Sequence, residues 1–469
     1  MSVARALRAL ALGGVCWAWA ARGEAVPLPI EVRAHTLANG LRVVLSPDRS
    51  SPTVAVAVYY DVGSRDEERG SSGFAHLFEH MMFEGSARAP KGTFDLLMDQ
   101  SGNQDANGTT SEDRTNYYET LPASALSVGL WLEADRMRAL SVTPESFENQ
   151  REVVLEERRQ SYENAPYGMA ALRRDALAYG DFYAYAHTAI GEPEDLRRAT
   201  FEQVRAFHQR YYVPNNAVLS IAGDLDPDAT LALVRRHFES IPRGADPVRP
   251  PQAPLAPRNA PRVETMQDAL APLPGFWVVH SIPPRRHPDT YALELLAKIL
   301  ADGESSRLYR SLVREGELAA SVEVDADIRR GPGLFALWTV VAEGRAAADA
   351  LTAQDDGIAR VIREGVTEAE LESAKNRLRA DTLFGLESNA ARARALAEHW
   401  MYDGDPALLR TELDRYLAVS LADVQRVARA WLDPARRVVL HVTPPPPSVA
   451  PPAPRTPRTP RAARPGAAR

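Results

Sequence analysis

Cysteine is nearly missing from this chain: among 469 residues only Cys16 is present. A single thiol cannot close an intrachain disulfide, and its position in an N-terminal apolar run excludes a thiolate nucleophile or a Cys-based zinc site in the body. Any metal must bind His or carboxylate. Long apolar stretches are scarce too. The run Ala9 to Ala20 is about a dozen residues, too short to span a bilayer comfortably. Arg5 and Arg8 precede it and Ala18-Trp19-Ala20 closes it, a small-x-small pattern, so residues 1–20 read as a cleaved signal peptide. Val15 stands where a lipidated Cys16 needs a small neighbour. The reading is export, to a periplasm or the outside, with no stable membrane anchor; a retained anchor is the alternative. Basic charge is also short in the body. The formal charge is −7, and setting aside Arg5, Arg8, Arg455, Arg458, Arg461, Arg464 and Arg469 in the two terminal segments leaves −14. That balance disfavours nucleic acid as a partner and leans toward cationic peptides.

What is present is ordinary globular composition, 45% hydrophobic and 25% charged, which argues against wholesale disorder. The length implies two or three domains. Val43-Val44-Leu45 and the alternating run Thr53 to Tyr60 predict strands, and Gly73 to Phe83 a helix. Thr200-Phe201-Glu202-Gln203-Val204, Tyr211, Pro214 and the apolar run 217–222 recur 220 residues later as Ser420-Leu421-Ala422-Asp423-Val424, Trp431, Pro434 and 438–442. Helix, Pro-marked turn and strand repeat in kind and spacing, which implies a second copy of the domain. Seven prolines between Pro242 and Pro261 mark a linker. The expected organisation is a leader at 1–20, a first domain at 27–241, a linker at 242–262, a second domain at 263–444 and a disordered Pro/Arg-rich tail at 445–469.

The chemistry lies in His76-Leu77-Phe78-Glu79-His80. On a helix His76 and His80 are four apart and Glu79 is three from His76, so all three crowd one face and two imidazoles can share a metal. Glu79 beside the ion can accept a proton from water and return it to a leaving amine. The alternative is a salt-bridged helix face, but Leu77, Phe78, Met81, Met82 and Phe83 predict a largely buried helix whose polar groups need partners. A catalytic zinc takes a third protein ligand. The helix starting at Thr143-Pro144-Glu145, with Thr143 as N-cap, offers Glu156 and Glu157. Glu157 has Val153 and Val154 at i−4 and i−3, whereas Glu156 faces Glu152 and Arg159, so Glu157 is the inward candidate and Glu156 a solvated charge.

His76-Leu77-Phe78-Glu79-His80 with Glu157 77 residues after His80 resembles the pitrilysin/insulinase family of zinc peptidases, nearest its processing-peptidase-like branch. Asn107 to Ser111, Asn116-Tyr117-Tyr118, Pro166-Tyr167-Gly168, His187 to Gly191 and Tyr211 to Asn216 support the resemblance, which covers almost the whole mature chain. It implies an α+β fold of two homologous sandwich domains, each a mixed sheet covered by helices, enclosing a chamber. It implies one zinc ion per chain on His76, His80 and Glu157, with Glu79 as general base. In the second copy the matching helix contains the mostly aliphatic stretch 292–300, so only the first half is expected to be catalytic.

Asp105 to Leu121 reads as one amphipathic strand; by the resemblance it is an open edge that takes the substrate backbone, with Asn107 near the scissile bond. Gly108 replaces the family's Ala. Gln150 replaces a Glu that many family members carry seven residues before the ligand Glu, where it tunes the site from behind the ligands; Gln keeps hydrogen bonding and loses charge. Arg314 matches a substrate-holding Arg of the non-catalytic half, but Leu318-Ala319-Ala320-Ser321 lacks the Tyr that accompanies it. The expectation is an exported zinc endopeptidase for unfolded peptides, paired with a homologous subunit that lacks zinc. The alternatives to that pairing are a homodimer or a substitute such as Tyr309. The rival functions are a non-catalytic scaffold subunit of the same fold and a metal-storage protein, which would not need Glu79.

Overall fold

Two mixed β-sheets are laid down by one connection pattern, used twice. The computed structural model describes residues 28–251 and 254–445. The leader expected at 1–20 and, apart from residue 445, the tail expected at 445–469 lie outside the described residues. The first sheet contains β1 (Arg33–Thr36), β2 (Arg42–Pro47), β3 (Thr53–Tyr60), β4 (Asp105–Thr110), β5 (Thr115–Pro122) and β6 (Ala217–Gly223), in the order β1-β2-β6-β3-β5-β4. The second contains β7 (Arg262–Gln267), β8 (Gly275–Ile282), β9 (Ala319–Asp327), β10 (Gly333–Val341) and β11 (Val438–Thr443), in the order β7-β11-β8-β10-β9. In each sheet only one pair is parallel, β2 with β6 and β7 with β11. Apart from β1 the sheets therefore match strand for strand, and the fold is α+β as expected.

The 220-residue repeat has a local cause. Helices Phe201–Tyr211 and Leu421–Trp431 each start with a capping box, Thr200 with Gln203 and Ser420 with Asp423. Reciprocal bonding there satisfies amides that the first helical turn leaves orphaned. Each helix is followed by a short 3₁₀ turn, Pro214–Asn216 or Pro434–Arg436, that delivers the chain into β6 or β11.

Alternation in the central strands divides the core in two. Val54, Val56, Val58 and Tyr60 of β3 face the first half's own helices, while Ala55, Ala57 and Tyr59 face helix Asn389–Asp403 of the second half. The second sheet does the reverse: Phe276, Val278 and Leu337 meet its own helices, and Val279, Leu334, Ala336 and Trp338 meet helix Gly168–Tyr179 of the first half. Each half thus lends a helix to the sheet of the other, and the central strands are buried on both faces. Among the described residues no helix is long and apolar enough to cross a membrane.

One expectation needs correcting. Asp105 to Leu121 is not a single strand but the hairpin β4–β5, turning at 111–114, where Ser111 N donates to Arg114 O at 2.9 Å. The polar run Ser111-Glu112-Asp113-Arg114 is the turn signal that the flanking alternation masked. β4 remains an edge strand, paired with β5 alone.

Candidate metal centre

Helix Phe74–Met81 carries the H-x-x-E-H residues and is anchored before its chemistry begins. Leu77, Phe78 and Met81 are fully buried, which fixes the opposite face toward β4 and the Glu157 helix. Gly73 precedes it at φ 91°, a left-handed conformation that suits glycine. The buried Glu67 carboxylate accepts from the amides of Gly73 (2.9 Å) and Ala75 (2.8 Å), closing the N-terminus. His187 Nε2 lies 3.0 Å from Glu67 Oε2, and its Nδ1 is 2.7 Å from the Tyr183 carbonyl. The Nδ1–H donates to that carbonyl, so one proton must lie between His187 Nε2 and Glu67. The His187 to Gly191 motif thus serves the helix start, a role its sequence did not disclose.

Helix Pro144–Arg158 brings the third residue, with Thr143 as its N-cap as expected. His76 Nε2 lies 3.3 Å from His80 Nε2, and Glu157 Oε2 lies 3.5 and 3.3 Å from the two nitrogens. Among the described residues this is the one grouping of three or more His, Cys, Asp or Glu with ligand atoms all within 4.8 Å of one another. Ligands of a tetrahedral zinc at ordinary bond lengths stand about 3.3–3.4 Å apart, so the triangle fits that ion without rearrangement. Two imidazoles and a carboxylate with no thiolate are also a suitable donor set. Of the two valines used to orient Glu157, Val154 is buried but Val153 is 46% exposed. The Glu157 side chain meets the histidines while remaining 42% exposed. Glu156 pairs with Arg159 at the surface, as expected.

Electrostatics separate the two histidines. Burial, then the neighbouring His80, lowers the His76 pKa to about 4. Burial also opposes charge on His80, but the hydrogen bond and charge of Glu157 outweigh it and raise that pKa above 6.5. Glu157 is lowered by its bond to His80, against some desolvation. Glu79 is raised by burial, opposed mainly by the nearby Thr110 hydroxyl of β4.

Gln150 reaches His80 as anticipated: its Oε1 is 3.3 Å from His80 Nδ1 and accepts that proton, leaving Nε2 free to ligate. Its Nε2 donates to Glu84 at 2.5 Å, and Glu84 is doubly bonded by Lys91 at 2.8 Å. A carboxylate therefore stands one step behind Gln150. Neither Glu84 nor Thr110 is marked by the sequence motif: Glu84 is four residues after His80 but past the end of the helix at Met81, and Thr110 lies on β4.

Asn107 is exposed on β4, and its Oδ1 accepts from Gly108 N at 2.8 Å. Gly108 lies beneath the general-base candidate: an added Cβ would come within 2.9 Å of Glu79 Cγ and 3.2 Å of the Tyr117 ring. Gly108→Ala is expected to displace Glu79 and lower kcat by roughly 10–100-fold with bound zinc unchanged, since small misplacements of reacting groups have effects of that size. Parallel kcat and metal measurements check this. Arg314 lies exposed on the π-helical segment Tyr309–Glu315, and the structure brings it into no hydrogen bond or ion pair with His76, Glu79, His80 or Glu157. The second half's counterpart of the His76 helix, Thr290–Ala301, carries no histidine.

Known proteins resemble this chain in sequence and in fold. The insulinase (peptidase family M16) profile matches residues 42–181, and the peptidase M16 inactive domain profile matches residues 198–378. The zinc protease PqqE of Helicobacter pylori is 30% identical over 417 residues, spanning 87% of this chain and 92% of that protein. The mitochondrial-processing peptidase subunit beta of Lentinula edodes is 24% identical over 428 residues, 85% of this chain and 86% of its own. A crystal structure of a protease from Helicobacter pylori has a TM-score of 0.83 at 28% identity, covering 88% of this chain and all of that one. Likeness of sequence and of fold runs through both halves, and the chain belongs to the insulinase family of peptidases, M16.

Proposed function

We propose that the chain is an exported zinc-dependent endopeptidase that cuts extended peptides, with one zinc ion held by His76, His80 and Glu157. The observation that carries this reading is the 3.3–3.5 Å triangle of ligand atoms with Glu79 on the same helix face. Zinc in such a site polarises a scissile carbonyl and acidifies a water. Glu79 takes one proton from the attacking water as its oxygen joins the carbonyl carbon. The same carboxyl then delivers that proton to the departing amine nitrogen as the C–N bond breaks. Gly108 of β4 packs against the stem of Glu79, and the raised pKa of Glu79 brings it closer to the range useful for transfer in both directions. β4 offers an unpaired edge to which a peptide can add as a further strand.

Export rests on the leader read at 1–20. A homologous partner subunit is part of the proposal. Ala320 stands where the family pattern has Tyr, Glu157 remains open to solvent, and a relative matched over both halves is named as a subunit. The hydrogen bond of a missing hydroxyl to a developing oxyanion is worth about 2.7–4 kcal/mol in a preorganised site, or some 10²–10³ in rate. The isolated chain is therefore expected to cleave a quenched, unstructured peptide slowly and to gain about that factor in kcat/KM with the correct homologous chain, alongside a doubled mass. Full activity alone, unchanged by any partner, contradicts the pairing. Zinc binding without cleavage of any unstructured peptide, alone or partnered, contradicts the peptidase reading.

A further inference from the structure

The β4–β5 turn of the catalytic half meets the topologically equivalent β9–β10 turn of the other half. Arg330 N donates to Asp113 Oδ2 at 3.0 Å, and the Arg330 guanidinium pairs with Asp61 at the end of β3 and lies over the Tyr402 ring. Arg329 is nearly buried. Its Nη2 is 3.4 Å from Glu112, 3.6 Å from Asp175 and 2.6 Å from Asp327, and its guanidinium lies 5.2 and 5.0 Å from the rings of Tyr179 and Tyr185. Tyr185 OH donates to Asp113 at 2.8 Å and accepts from Gly331 N at 2.8 Å. Within the first half, Arg65 holds Asp113 at 3.0 Å, and the amides of Ser64 and Arg65 donate to the carbonyls of Ser111 and Glu112.

We propose that Arg329 and Arg330 are positioning residues through which the non-catalytic half fixes β4, and so sets the substrate edge and the seat of Glu79. Thr110 directly precedes the turn, and Gly108, where an added Cβ would meet Glu79 Cγ at 2.9 Å, is two residues further back. A shift of the hairpin tip therefore moves strand edge and general base together. A buried Arg between carboxylates on two chain segments transmits such a constraint well, because neither side can withdraw without leaving a charge unpaired in low dielectric. The inactive half thereby acquires a function inside its own chain, separate from anything a partner supplies.

The part concerning substrate rests on the peptidase reading; the part concerning β4 does not. Amide hydrogen exchange and peptide kinetics on the full zinc-loaded chain test both, using Arg330→Ala and Glu112→Gln. Exchange at residues 105–110 is expected to accelerate about tenfold while residues 74–81 stay unchanged. KM for a quenched peptide is expected to rise about fivefold or more, measured well below the melting temperature with zinc content constant. A merely structural role would lower the melting temperature without raising KM. Unchanged exchange in 105–110, or unchanged KM in an active protein, overturns the proposal. Glu112→Gln keeps the side-chain size and decides the matter if Arg330→Ala fails to fold. If the wild type cuts nothing, the peptidase reading falls and the exchange result still decides the constraint on β4.

Discussion

Glu79→Gln is expected to lower peptide cleavage by about 10²–10⁴-fold while zinc content stays at one per chain, the range that a positioned acid–base group contributes. The substitution keeps the side chain's shape but removes the basic oxygen. Glu79 is not among the three clustered ligand atoms, so metal binding should survive. Metal analysis and a quenched-peptide assay on the same preparation check the outcome. Loss of zinc together with activity would recast Glu79 as a ligand, and retained activity would remove it from the mechanism.

Chelation has the second large effect: activity disappears and the fold remains. Both halves have their own buried core, and the exchanged helices join them by apolar packing. A ligand at a thousandfold excess over Kd stabilises by about 4 kcal/mol, and its removal lowers Tm without melting cores of this size. Circular dichroism with residual activity measures both; global unfolding on chelation contradicts the account. The site's electrostatics also fix the pH dependence. His80, raised above 6.5, must lose its proton to ligate, whereas His76, lowered to about 4, is already neutral. Zinc affinity should therefore be full above the His80 pKa and fall as pH drops through it, with one proton released per ion between roughly pH 5 and 6.5. A two-proton slope in that window would contradict the assignment.

The parts of this molecule that could be read from residues are those governed by local rules. β3 has the bounds its alternation implied, Thr53–Tyr60, and Thr143 caps the Glu157 helix because a threonine before Pro at N1 has a strong local preference. The 220-residue offset carried the repeat for the same reason: caps, prolines and apolar strands recur at fixed spacing. Tertiary placement was less accessible. Helices Gly168–Tyr179 and Asn389–Asp403 have apolar faces, but nothing in a helical period says whose sheet will cover them. The β4–β5 hairpin was read as one strand because alternation continues on both sides of a four-residue turn. Glu84, just past the motif helix, reaches the site through Gln150, and Thr110 lies near Glu79 from β4, placements only the fold creates. The contacts that cross between halves at the hairpin belong to Arg329 and Arg330, which no motif marks.

The central claim is that His76, His80 and Glu157 hold one zinc ion whose presence makes this chain a peptidase. Its most direct test is a titration of metal-free protein with substoichiometric zinc, together with the homologous partner if one is required, while cleavage of a quenched peptide is followed. The account predicts activity that rises linearly and breaks at one zinc per chain. No cleavage at any zinc level, or a break at two or more ions per chain, would contradict it.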